Sequence, residues 1–316
     1  MSLEISETSR TKWFALDGVE VLVLRVAVAL MAINAGLLIF RGGAIDAQAY
    51  SGLFALSVFV GALGQFYRLS GRGAGIGDAL TCLALMLLFS NSALVFNFLL
   101  LPLSGYPIDS YLLQFDAMFG YSWPGIVSWA GDVPWFNEVV RGAYVSVMPQ
   151  LTLLILVLGF MGKKIWLHRM LILLVTTTVV LIAFWSIFPS HGPSAMFALS
   201  EDVVAKTRPL VSSEYGQRLL AMMTSGPEKV TPAHVEGLIA FPSYHTTMAF
   251  ICTFAALGIR KLFPVFLIVN LLVLPGTLIH GGHHLADLFG GAILFVLGVW
   301  MAERIVRNYA NDYKNV

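Results

Sequence analysis

The decisive stretch is FPSYHTTMAF, residues 241–250, in which a proline, a serine and a histidine stand where a polar segment turns into a long apolar one. From His245 onward the run reads as the beginning of a buried or membrane-embedded helix. Composition settles which. Of 316 residues 58% are hydrophobic and only 12% charged, about half the charged share of an ordinary soluble domain, and the mean hydropathy is +0.80. The chain is expected to be an all-α, polytopic integral membrane protein. Lys and Arg number 19 against 18 Asp and Glu, so no basic field invites a nucleic-acid partner. Cys82 and Cys252 both lie in apolar runs and read as small hydrophobes rather than as a disulfide or a metal pair.

A spanning helix takes about 20 mostly apolar residues. Such runs fall near 20–40, 51–68, 77–103, 138–160, 166–188, 241–258, 263–279 and 284–304, giving about eight spans. The polar opening with Glu4, Glu7, Arg10 and Lys12 lacks the short apolar core of a signal peptide, so the first span is expected to stay. No internal repeat divides the chain, and one membrane domain over 1–316 is the simplest organisation, with N-terminal helices over 20–160 and a catalytic core over 166–304. The Lys/Arg bias of the short loops orients it. With both termini in the cytoplasm, Arg68, Arg72, Lys163, Lys164, Arg169, Arg260, Lys261, Arg304, Arg307 and Lys314 lie inside. His245 then faces outward, toward a periplasm if the membrane is a bacterial inner membrane.

Two outward segments are more than connectors. In 109–137, Pro124 and Pro134 break up any span while Trp123, Trp129 and Trp135 recur six residues apart. Indole rings favour the headgroup level, so an interfacial helix is expected there. The other, 189–240, is a loop of a length that is usually functional.

HGGHHLADLFGG, residues 280–291, opens the last span on the same side as His245. His283 and Asp287 are four apart and share a helix face, where a carboxylate can fix an imidazole's tautomer and stabilise its charge. A single His–Asp pair at a helix start often does no more than cap it. Two histidines and an aspartate on one membrane face make a functional site the stronger reading.

PSYH followed by HHLAD resembles the second and third signatures of the type 2 phosphatidic acid phosphatase (PAP2) superfamily, PSGH and SR-x5-H-x3-D. The replaced glycine of PSGH, together with FDAMFGYSWPGIVSW upstream, is most similar to the branch of the Aur1-type inositol phosphotransferases. The resemblance implies a PAP2-like helical core and no metal or other cofactor. It further implies that His283 attacks phosphorus, oriented by Asp287, while His245 protonates the leaving alkoxide, and that Ser243 and Tyr244 at the start of their helix help hold the phosphoryl oxygens. The first signature, K-x6-RP, is met only in part: Arg208 and Pro209 fit, but Glu201 stands at the lysine position. Gly276 and Thr277 replace the Ser-Arg ahead of His283. Lys206 and Arg208 are therefore expected to supply the missing phosphate-binding charge.

The implied activity is a lipid-phosphate phosphatase acting on a membrane lipid phosphate or phospholipid at the outer leaflet, with transfer to a lipid or sugar alcohol as the alternative. Two other classes fit less well. His280, His283 and His284 spell H-x2-H-H, as in membrane di-iron desaturases, but those sites draw on about eight histidines and this chain has seven. A transporter path through Asn34, Gln65, Asn91, Asn97 and Asn270 would be scattered and uncharged, and helix-to-helix hydrogen bonds account for such residues more simply.

Overall fold

The computed structural model describes residues 15–41, 44–232 and 237–309. Glu4, Glu7, Arg10, Lys12, His234 and Lys314 lie outside the described residues. The architecture is all-helical, with no strand among the described residues and one isolated bridge between Ile45 and Val230.

Three long helices come first: α1 (Gly18–Arg41), α2 (Ala47–Ser70) and α3 (Ala74–Leu99). Two short ones, α4 (Asp109–Met118) and α5 (Trp123–Gly131), lead into the long pair α6 (Pro134–Phe160) and α7 (Lys164–Ile187). The segment expected as a long loop holds α8 (Glu201–Thr207) and α9 (Ser213–Ser225), and α10 (Tyr244–Ala256), α11 (Phe263–His280) and α12 (Leu285–Asn308) complete the chain.

Seven of these helices, α1, α2, α3, α6, α7, α11 and α12, are long and apolar enough to cross a membrane. The eighth apolar run, 241–258, holds α10, a helix of 13 residues. Proline at 242 cannot join the helix ladder. Ser243 caps it, its hydroxyl accepting from the Thr246 N–H at 3.4 Å, and the chain turns again after Ala256. α10 still connects the two ends of the bundle. It starts beside α12, where the Ser243 N–H donates to the Asp287 carbonyl at 3.0 Å, and near its other end Phe254 meets Trp166 of α7 with ring centroids 5.4 Å apart.

The bundle packs around α7, in whose membrane-crossing stretch 56% of the residues are buried, against 17% for α1 and α2 at the periphery. Lipid tails are as apolar as leucine, so burial alone cannot sort these helices, and small or hydrogen-bonding residues mark the contacts instead. Asn34 donates to the Ser92 carbonyl, Gln65 to Thr81 and Asn270 to Thr253, which is how these polar residues are used.

At the end remote from α10's cap lies an ion network. Arg68 donates to both oxygens of Glu20 at 2.7 and 2.6 Å and to Asp78 at 2.6 Å. His168 is 3.3 Å from Glu20, and Lys164 pairs with Asp17 at 2.6 Å. It ties α1, α2, α3 and α7 together. In the interfacial segment Trp129 and Trp135 are 48% and 71% exposed, whereas Trp123 is buried. Trp123 is the first residue of α5 and turns inward, so the six-residue recurrence gives two rings at the rim rather than three.

Candidate functional site

The starts of α10 and α12 lie side by side. Thr247 of α10 donates to the Gly291 carbonyl at 3.0 Å, and a Cβ on Gly291 would come within 2.5 Å of the Ser243 carbonyl. The chain reaches α12 through Gly282, whose φ of +63° is a left-handed turn that favours glycine. Its missing side chain also leaves room for Val211 and Ser194. His283 follows. Its Nδ1 is 2.8 Å from Asp287 Oδ2, and its carbonyl accepts from the Tyr121 hydroxyl at 2.9 Å. With Nδ1 facing a carboxylate, Nε2 is the nitrogen left to act.

His245, in the first turn of α10, stacks on Tyr144 of α6 with centroids 4.2 Å apart and planes 19° off parallel. Its Nδ1 is 3.3 Å from the Tyr144 hydroxyl. His245 and His283 line one cavity of about 40 Å³ together with Tyr144, His191, Ser194 and Tyr215, room for roughly three waters. α9 forms part of its cover, since Tyr215 and Leu219 also line it and the nearby Val211 N–H donates to the His280 carbonyl.

Behind His283 stands a second array that the spacing of the motifs did not reveal. His284 is fully buried; its Nδ1 is 2.6 Å from Asp116 Oδ2 and its Nε2 3.8 Å from Asp109 Oδ1. Burial alone would lower the pKa of this imidazole, but the two carboxylates outweigh it and raise it to about 9. Asp116 also accepts from the Leu285 N–H at 2.9 Å, and the His284 N–H donates to Asp287 Oδ2 at 2.9 Å. Asp109 accepts from the Ser190 hydroxyl and from the N–H groups of His191 and Gly192, and lies 3.4 Å from His191 Nε2. Burial works against its charge, yet His284, His191 and the Gly192 N–H hold its carboxyl below the ordinary carboxylate range. The available signal was that Asp109 and Asp116 stand seven apart, on one face of a helix. Tyr144 and His191 carried no comparable sign.

The other residues expected at the site lie elsewhere. Ser243 is buried as the cap of α10 and does not line the cavity. The Tyr244 hydroxyl turns into the bundle, 2.5 Å from Thr178 and 3.2 Å from the Leu174 carbonyl. Lys206 pairs with Asp202 at 2.8 Å, and Arg208 with Glu138, both at the exposed rim. Carboxylates within reach have taken these two cations. The Arg208 carbonyl in turn accepts from Arg141 at 2.6 Å. Among the described residues no lysine or arginine lines the cavity.

The departures ahead of His283 have steric reasons. A Cβ on Gly276 would stand 2.5 Å from the Val140 carbonyl of α6, and Thr277 is fully buried with its hydroxyl on the Val273 carbonyl, so neither place accommodates a larger polar side chain. The three histidines of H-x2-H-H do not gather either: His280 meets the Asn137 carbonyl, His283 meets Asp287 and His284 meets Asp116. One set with metal-ligating atoms within 4.8 Å of each other occurs among the described residues, Glu20, Cys82 and His168. It belongs to the ion network at the opposite end of the bundle, and both Glu20 oxygens are already held by Arg68.

Comparison with curated proteins and comparison with solved structures yield no match. A family model described as PAP2 superfamily matches residues 110–301, from α4 through most of α12, and so takes in His245, His283, Asp287 and Tyr144 together with Asp116 and His191. With more than half of its length matched, this helical membrane protein belongs to the PAP2 superfamily.

Proposed function

We propose that the protein is a membrane enzyme that carries a phosphoryl group from a lipid phosphoester to an acceptor by way of His283. The observation that carries this reading is that two histidines line one cavity, one of them held by a carboxylate at 2.8 Å. Asp287 keeps the His283 proton on Nδ1, which leaves the Nε2 lone pair free to attack phosphorus. An N–P bond forms as the P–O bond to the lipid breaks, and the departing alkoxide takes a proton from His245. The acceptor then gives its proton to His245 and its oxygen to phosphorus, and the N–P bond breaks. The Tyr144 stack fixes the ring plane of His245 for both transfers.

With water as acceptor this is a lipid-phosphate phosphatase, the reading the superfamily favours. A second reading, transfer from a phosphodiester lipid to an alcohol of the inositol phosphotransferase kind, is favoured by the lack of lysine or arginine around the cavity among the described residues. A phosphomonoester carries up to two charges and depends on cations that a singly charged diester needs less.

The test uses purified protein with radiolabelled phosphatidic acid and, separately, a headgroup-labelled phospholipid, each with and without a lipid alcohol. Free phosphate from phosphatidic acid supports the phosphatase, and label on the alcohol the transferase. In either case His283→Ala should abolish turnover and leave the folded protein intact. Near-normal activity of that variant would rule His283 out as the nucleophile.

A further inference from the structure

We propose that His284 is a positioning residue held as an imidazolium, through which the two carboxylates of α4 fix the Asp287–His283 pair. The proposal rests on the reading of His283 as nucleophile.

The connections form a chain. Asp287 Oδ2 is shared by the His283 ring and the His284 N–H, so a shift of the His284 backbone moves the carboxylate that aligns His283. The His284 backbone is itself pinned on both sides, by its ring on Asp116 and by the Leu285 N–H on the other oxygen of Asp116. Both ring nitrogens face carboxylates, Nδ1 toward Asp116 and Nε2 toward Asp109. A neutral imidazole has one N–H and would leave a lone pair opposite one of those anions; the imidazolium donates to Asp116 and turns its other N–H toward Asp109, 3.8 Å away and without a hydrogen-bond partner of its own.

The charges facing His284 are Asp109 and Asp116 from α4, and Asp287 with the His283 ring from its own turn. His191 lies across Asp109 on the cavity wall. Among the described residues no lysine or arginine pairs with any of these three buried carboxylates, and they repel one another unless a cation lies among them. His284 is placed to be that cation.

The test has an arm that needs no turnover. Full-length protein with ¹⁵N-labelled histidine is purified in detergent, and the His284 ring signals are assigned by their loss in His284→Gln. Through pH 8 both nitrogens should be protonated in the unmodified protein, and in Asp116→Asn the ring should lose a proton at lower pH. A His284 ring with one protonated nitrogen at pH 7 overturns the proposal, whatever the enzyme acts on.

The second arm uses short-chain fluorescent phosphatidic acid and phosphatidylinositol. Asp116→Asn, which preserves shape, and His284→Gln should each lower kcat, the latter by about 100-fold, with KM near its original value. Asp116→Glu, which keeps a carboxylate against the ring, should recover part of the loss. A fall in kcat that Asp116→Glu does not recover, or one matched by an equal rise in KM, would reduce His284 to a structural contact and overturn the proposal. If neither lipid is turned over, the reading of function fails while the first arm still decides the charge on His284.

Discussion

Gly276 shows how a single position governs which signature this chain can carry. Its α-carbon faces the Val140 carbonyl so closely that a Cβ would lie 2.5 Å away, and α6 must move if anything larger is installed. Gly276→Ser, which restores the residue usual in the phosphatases, is therefore expected to destabilise the protein by about 1–3 kcal/mol and to lower activity. A thermal unfolding scan in detergent measures this, and an unchanged midpoint would show that the α6–α11 contact is not tight. The same scale separates what could be read from the chain and what could not. His283 and Asp287 are four residues apart, so helix geometry alone pairs them. Tyr144 reaches His245 across 101 residues, and Asp116 reaches His284 across 168. No local period encodes such a contact. For Lys206 and Arg208 the motif records residue type but not the carboxylates nearby: Asp202 and Glu138 pair with them.

Between elements, the informative junction is α4 against the start of α12. α4 is ten residues long, too short to be stable alone, and its two carboxylates anchor it to His284. The His284 ring has its folded pKa raised to about 9, above the ordinary value near 6.5. The stability it contributes is thus complete below about pH 6.5 and is lost as pH rises through about 9. Thermal midpoints measured from pH 6.5 to 9.5 should fall with rising pH more steeply in the unmodified protein than in His284→Gln. Parallel slopes would mean that the pair makes no pH-dependent contribution. The long helices were legible from the sequence because apolar length alone marks a span. α8 and α9 were not, because a polar loop and a short surface helix share one composition. The run at 241–258 read as a full span for the opposite reason: hydropathy continues on both sides of Ala256 although the helix itself ends there.

At the scale of the whole molecule, the ion network of Glu20, Arg68, Asp78 and Lys164 lies at one end and the histidines at the other. We assign the histidine end to the outside on the Lys/Arg bias of the loops. A cysteine introduced in the 210–230 region should then react with a membrane-impermeant thiol reagent in intact cells, and one beside Lys261 only after lysis; the reverse pattern would put the site inside. Depth matters as much as side. Tyr144 lies ten residues into α6 from Pro134, about 15 Å along the axis, and α10 with its 13 residues rises about 20 Å where the hydrocarbon layer measures about 30 Å. The ring that stacks on Tyr144 thus lies well along α6 from its first residue, inside the bundle rather than at its rim. On the proposed reading, a phosphoryl group that reaches it sheds hydration on the way, and once bonded to nitrogen it would wait where bulk solvent is scarce. How readily that cavity wets would then decide whether the phosphoryl ends as free phosphate or on another lipid.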